Sequence, residues 1–325
     1  VNLMQQNVMS PPPNKELPWL RVSHSSTNTF AFCPRKFEFQ KLYGQGKERP
    51  DDDSIPAAVG RAFHRAYQEF VVSHDENRAY YELLRAYPWE LALTVQQNRR
   101  TWDVVMSTFE EAIKQFHMWD YDIMRFKRPD GVEVPCVELP FELRFLNTEM
   151  PGFAGIAFIG YIDLVLLHKA TKEILATDIK THQSTIRDRT AEYMYNSQQI
   201  PYGVVVEHLL GNPVESFNVS YHDCHLSLPE PRVQVYEFTK TQGAIQEWLT
   251  AKILQFRSIK SMLELELFSR RESGCVAFNY PCKFLDICVS RDSRNIQAWF
   301  DQLENKVDDW NPWIVADVFL EKGLV

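Results

Sequence analysis

Apolar residues recur at helical spacing in "AAVGRAFHRAYQEFVVS" (57–73), at positions 59, 62, 63, 66, 67, 70 and 71. Upstream, "VSHSSTNTFAFCPRKFEFQKLYG" (22–44) opens on Ser, Thr and Asn, which cap helices, and predicts a short capped helix carrying aromatic and basic residues. The helical pattern continues from about 77 to 126, with many aromatics, and reads as an insertion. Then the period changes. "VPCVELPFELRF" (134–145) alternates as a strand does, and "IAFIGYIDLVLLH" (156–168) is apolar and β-branched. A turn at "KATKE" leads to "ILATDIKT" (174–181), so the two runs predict a hairpin. Residues 190–211 predict one helix, kinked at Pro201 and stopped at Gly211. Strands are expected at 214–222 and 232–239, a long amphipathic helix at about 241–269, and a Trp-rich helix at the end.

The chain has 325 residues, 45% of them hydrophobic, which supports a sizeable core. No apolar run reaches the ~18 residues of a membrane span. The polar, Pro-rich start lacks the basic and apolar regions of a signal peptide and reads as a loose tail, so a cytoplasmic location is expected. Because the chain opens on Val rather than Met, a residue or more is expected to be missing at its front. Net charge is −8, but seven Lys/Arg face three Asp/Glu in residues 1–50, and two face six in residues 301–325. A basic face can therefore coexist with an acidic total. No G-x-x-x-x-G-K-[ST] run appears, so no P-loop motor is present, and no G-x-S-x-G elbow points to a serine hydrolase.

The predicted hairpin carries the most informative chemistry. Side chains at i and i+2 of a strand point the same way, so Asp178 and Lys180 project together while Ile179 points into the core. Asp163, on the other arm, falls near the same end. Two converging carboxylates repel unless a cation lies between them, and hard divalent cations prefer such oxygen ligands. Lys180 would then sit beside the attacking water or the phosphate. A solvent-facing hairpin with two acids and a lysine is the bland alternative. His64 precedes the sheet on a helix, and Gln198 and Tyr202, four residues apart, share a predicted helix face.

The ordered set G-x-x-x-H (Gly60 to His64), G-x-x-D (Gly160 to Asp163), D-x-K (Asp178, Ile179, Lys180) and Q-x-x-x-Y (Gln198 to Tyr202) resembles the RecB-type branch of the PD-(D/E)XK nucleases, over about residues 22–290. The resemblance implies an α/β, restriction-endonuclease-like core: a mixed central sheet flanked by helices, with a helical insertion and a cysteine-stapled N/C-terminal region. It implies Mg²⁺ or Mn²⁺ on His64, Asp163, Asp178 and the Ile179 carbonyl, with Lys180 assisting the attacking water. Gln198 and Tyr202 would hold the active site and the DNA. Glu138 or Glu142, on the preceding strand, could also reach the site.

Six cysteines occur, three of them crowded at Cys275, Cys282 and Cys288. With Cys33 as a fourth, the arrangement resembles RecB-like nucleases that carry a [4Fe–4S] cluster, among them AddB subunits, CRISPR-adaptation exonucleases and phage enzymes. The six-residue gap between Cys275 and Cys282 is wider than the commoner two. Zinc on four thiolates and ordinary reduced thiols remain alternatives. Cys136 and Cys224 read as packing residues.

The expected organisation is a flexible tail (1–20), N-terminal helices with Cys33 and His64 (21–76), the helical insertion (77–130), the nuclease core (131–240), and a C-terminal helix with the cysteines and a last helix (241–325). The aromatics of the insertion (Trp89, Trp102, Phe109, Phe116, Trp119) read mostly as core. The expected function is metal-dependent DNA exonuclease, resecting ends in recombination, repair or phage replication. DNA, as single strands or duplex ends, would meet Arg35, Lys36 and Tyr202, through phosphates and stacked bases. A separate helicase or strand-annealing protein is an expected partner. A DNA-end-binding or scaffolding subunit without cleavage is the alternative.

Overall fold

The computed structural model describes residues 4–5, 17–44, 54–94, 100–115, 120–128, 130–183, 188–211, 214–227, 231–271, 275–277, 280–289 and 293–303. In chain order the elements are β1 (Met4–Gln5), β2 (Trp19–Val22), α1 (His24–Phe32), α2 (Pro34–Glu38), a π-helical turn (Phe39–Tyr43), α3 (Ile55–Ser73), α4 (Glu76–Ala86), α5 (Trp89–Thr94) and α6 (Trp102–Gln115). There follow β3 (Tyr121–Ile123), β4 (Arg125–Lys127), β5 (Glu133–Pro135), β6 (Val137–Phe145), β7 (Gly155–His168), β8 (Ile174–His182), α7 (Thr190–Met194), α8 (Ile200–Leu210), β9 (Ser216–His225), β10 (Arg232–Thr241) and α9 (Gln242–Glu264). The last are β11 (Val276–Ala277), β12 (Tyr280–Pro281), α10 (Leu285–Cys288) and α11 (Ser293–Asp301). Among the described residues no helix is long and apolar enough to cross a membrane.

The chain forms two compact units: residues 1–50, 142–160 and 249–311, and residues 51–141, 161–248 and 312–325. The second holds a mixed sheet. β7 pairs antiparallel with β8, β8 runs parallel to β9, and β9 pairs antiparallel with β10. Two periodicities meet in its core. One face of β8 offers Leu175 and Ile179, and the amphipathic α3 offers Val59, Phe63, Ala66, Tyr67 and Phe70 against it, with Phe109 of α6. Burying side chains of this size contributes roughly 1.5–3 kcal/mol each. The opposite face of β8 carries Asp178 and Lys180. There α8 packs so closely that a Cβ on Gly203 would lie 2.4 Å from Phe217 and 2.6 Å from Ile245.

In the first unit, β2 pairs in parallel with the start of β7 and β1 pairs with the end of β6. Ser23 caps α1 in a reciprocal capping box with Ser26, as the Ser-rich start of that segment predicts. A separate apolar cluster of Phe39, Phe284, Ile287, Ile296 and Phe300 ties the π-helical turn to α10 and α11.

Three expectations change. The helical reading of 77–126 ends at Gln115, and Tyr121–Ile123 instead form β3, paired antiparallel with Leu166–His168 of β7. Three residues are too few for a periodic signal, and tertiary pairing decides their state. Residues 190–211 form two helices, because Pro201 sits in the first turn of α8, where its missing N–H costs nothing, rather than kinking a continuous helix. Gly211 does close α8, at φ 71°. Of the insertion aromatics, Phe109 is fully buried, while Trp89 is 42% exposed and packs on Tyr87 and Trp102. Phe116, Trp119, most of the N-terminal tail and the Trp-rich end lie outside the described residues.

Candidate active site and a cysteine-lined cavity

The hairpin register, Leu164 opposite Thr177, brings Asp163 and Asp178 to the same end of β7 and β8. Asp178 is buried, with 1% of its surface exposed. Its Oδ2 lies 2.6 Å from Lys180 Nζ, and its Oδ1 accepts hydrogen bonds from Gln198 Nε2 (3.0 Å) and the Tyr202 hydroxyl (3.4 Å). Lys180 also donates to Gln198 Oε1 at 3.1 Å, so one amide orients both members of the pair. Gln198 is not on the helix with Tyr202. It occupies the turn before α8, where its own N–H bonds to Asn196 Oδ1. The Tyr202 hydroxyl also donates to the Tyr161 carbonyl, and its ring is buried, so this side chain braces the carboxylate.

Asp163 Oδ2 accepts the Ile179 N–H at 2.7 Å and lies 3.7 Å from His64 Nδ1. His64 projects from α3, whose Gly60 closes to 3.3 Å from Thr181 where a Cβ would stand. A backbone hydrogen bond links the imidazole to Ile179. Among the described residues, His64, Glu138 and Asp163 each bring one ligand atom within 4.8 Å of the others. Glu142, the other acid of β6, instead pairs with Arg21 (3.1 Å) and Arg144 (2.7 Å).

Burial sets the protonation of this group. It lowers His64 to about 4, against the pull of Asp178, so the imidazole is neutral and free to ligate. It lifts Asp163 and Asp178 to about 6, with Lys180 opposing, and Glu138 to about 7, with the Asp163 charge adding. Burial also pulls the Lys180 ammonium down, but Asp178 and Asp163 outweigh it and hold the amine above its ordinary value. The neutral imidazole of His64 and the Asp163 carboxylate are donors of the kind that suit Mg²⁺ or Mn²⁺. Asp178 is not among the residues whose ligand atoms come within 4.8 Å of one another; its oxygens are taken up by Lys180, Gln198 and Tyr202.

A pH dependence follows. Unfolded carboxylates titrate near 4, and these three titrate higher, so the folded metal-free protein binds more protons and loses stability as pH rises from about 4 through about 7. His64 contributes the opposite slope below about 6.5 and is outweighed three to one. A divalent cation needs the carboxylates ionised. Thermal unfolding with EDTA should therefore show a lower Tm at pH 7.5 than at pH 5.5, and the rise in Tm on adding Mn²⁺ should be larger at pH 7.5. Equal Mn²⁺ shifts at both pH values would contradict this assignment.

Within the first unit, Cys33, Cys275, Cys282 and Cys288 line one cavity, together with Phe39, Phe284, Lys36 and Arg270. None of the four is in a disulfide. The wide gap between Cys275 and Cys282 has a local cause. β11 and β12 form a small hairpin with Val276 opposite Pro281, and Cys282 N–H bonds to the Cys275 carbonyl at 2.7 Å. The two cysteines thus flank the open end of a hairpin, as a shorter spacing would flank a single turn. Burial raises the Cys288 thiol, while the guanidinium charges of Arg270 and Arg35 oppose that shift. Arg35 pairs with Glu38 and lies 4.7 Å over the Phe39 ring, so its charge is engaged within this unit. Cys136 and Cys224 are fully buried in the second unit, where they pack.

Sequence reasoning did not single out Gln68, whose Nε2 donates to Glu138 at 2.7 Å. Its signal was its place one helical turn after His64. It also passed over Asp223, buried between His182 (2.6 Å), Tyr193 (2.7 Å) and Arg189 (3.8 Å). These groups tie α7 to the residue two positions beyond Lys180.

The mixed sheet flanked by helices, with two acids and a lysine on one hairpin and an imidazole from a preceding helix, is a fold of the restriction-endonuclease-like class. A family model described as the PD-(D/E)XK nuclease superfamily matches residues 21–311, and the chain belongs to that superfamily. No curated protein matches the sequence. Among solved structures, the chain is similar to one from Eubacterium rectale named "Putative exonuclease", at 13% identity and TM-score 0.45, covering 83% of this chain and 94% of that one. It is also similar to the structure of SSO0001, at 12% identity and TM-score 0.29, covering 77% and 80%.

Proposed function

We propose that this nuclease is a RecB-type, Mg²⁺- or Mn²⁺-dependent DNA exonuclease. The observation that carries the reading is that two groups flank one residue of β8: Asp163, held by the Ile179 N–H and beside His64, and the Asp178–Lys180–Gln198 group on either side of Ile179 in sequence. His64, Asp163, Asp178 and the Ile179 carbonyl would hold the divalent ion. Bound there, the ion would polarise the phosphodiester and lower the pKa of the attacking water. Lys180, kept as an ammonium by Asp178, stabilises the charge that grows on the phosphate oxygens, and Gln198 fixes its position. Water adds to phosphorus and releases a proton to solvent, the P–O bond to the leaving nucleotide breaks, and the departing oxygen takes up a proton from solvent. Tyr202 braces Asp178 from behind.

The same reading places a [4Fe–4S] cluster on Cys33, Cys275, Cys282 and Cys288, which line one cavity. Four soft thiolates suit iron–sulfur or zinc. Lys36 and Arg270 at the cavity place positive charge beside an anionic centre, and Lys36 could extend it to DNA phosphates. A helicase or a strand-annealing protein, acting in the same compartment, would supply or receive the resected strand.

The test is an anaerobic digestion series with Mn²⁺ on end-labelled single strands, linear duplex and covalently closed circles. Mononucleotide or short-oligonucleotide release from linear DNA, with the circle intact, is expected. Cleavage of the circle at the same rate would replace the exonuclease reading with an endonuclease, and no cleavage of any substrate would overturn the proposal.

A further inference from the structure

We infer that Glu138 is a further metal ligand at this site, delivered by a left-handed backbone and held by Gln68. The inference rests on the metal-dependent reading above. The first support is geometric, since a Glu138 carboxylate oxygen lies within 4.8 Å of ligand atoms on both His64 and Asp163. The second is conformational. Glu138 has φ 45° near the start of β6, a region that costs a residue with a Cβ and that concentrates at functional sites. The third is the support from α3. His64 and Gln68 lie one turn apart, and Gln68, 3% exposed, donates to the carboxylate at 2.7 Å. One helix therefore presents a ligand and orients a second, the arrangement expected behind a metal-binding carboxylate.

Charge gives an independent argument. Asp163 and Asp178 against Lys180 leave a net −1 when all are ionised, and Glu138 makes it −2, the charge that one divalent ion neutralises.

Mn²⁺ binding by anaerobic calorimetry and by thermal shift, with MnCl₂ as the probe, tests this apart from activity. Glu138→Gln should weaken Mn²⁺ binding at least tenfold and shrink the Mn²⁺-induced rise in Tm, while the metal-free Tm holds or rises. Glu138→Gly suits the left-handed backbone and should show the same loss of affinity with the fold retained. Gln68→Met, which keeps the bulk and removes the donor, should weaken binding several-fold, as a positioning residue would. Wild type that binds Mn²⁺ with variants that bind it equally overturns the role of Glu138 and leaves the nuclease reading intact. Wild type that binds no Mn²⁺ overturns the reading itself.

Discussion

Lys180→Ala should lower the rate of DNA hydrolysis by about 10²–10⁴-fold, with DNA affinity nearly unchanged. Two contacts and an exposed rim set the size of this effect. The ammonium is 2.6 Å from Asp178 Oδ2 and 3.1 Å from Gln198 Oε1, and a third of its side chain remains exposed. It is the charged donor at the rim of the carboxylate group, placed where a phosphate would approach. Removing it withdraws a preorganised positive charge from a site where water is scarce, and such charges act mainly in the transition state. Lys180→Arg should recover little, because a planar fork cannot match a single point held by Asp178 and Gln198. Single-turnover rates with Mn²⁺, alongside binding of the same labelled DNA with Ca²⁺, would check the split. An equal loss of binding and rate would assign Lys180 to DNA affinity, and an unchanged rate would remove it from the chemistry.

Cys33→Ser should have the largest effect on stability. Cys33 lies between α1 and α2, while its three cavity partners lie beyond α9, so a centre on all four would tie chain segments from residue 33 to residue 288. Structural thiolate centres contribute folding energy on the scale of about 10 kcal/mol, because the unfolded chain has no such site. The apolar cluster of Phe39, Phe284 and Phe300 beneath the cavity is small and would not replace it. Anaerobically purified wild type should be brown and carry about four irons per chain. The Cys33→Ser protein should be colourless, nearly iron-free and lower in Tm by well over 10 °C. Iron content and Tm equal to wild type would exclude Cys33 as a ligand. Zinc in place of iron in the wild type would exclude the cluster.

The hairpin was legible in the sequence because strand chemistry repeats every two residues. Asp178 and Lys180 had to share a face, and the apolar run around Ile162 and Leu164 fixed which way Asp163 points. The family match confirms the fold class that followed from the ordered motifs. Gln198 and Tyr202 were legible as a pair but assigned to one helix, since Pro201 reads equally well as a kink or as a helix start. Glu138 and Glu142 could not be separated by pattern. Strict alternation puts them on one face about 13 Å apart, and the pattern does not say which end of β6 lies at the site; Glu138 meets Gln68, while Glu142 meets Arg21 and Arg144. β3 and β4 were lost in a helical reading because strands of three residues form only through pairing with a neighbour.

The central claim is that the imidazole of α3 and the acids of both hairpin arms share one divalent ion. A crystal grown with MnCl₂, measured at the manganese absorption edge, tests it most directly. A single strong anomalous peak bonded to His64, Asp163 and Asp178, at about 2.1–2.3 Å, is expected. Saturating Mn²⁺ with no peak among those three residues, or with manganese only elsewhere, would contradict the account.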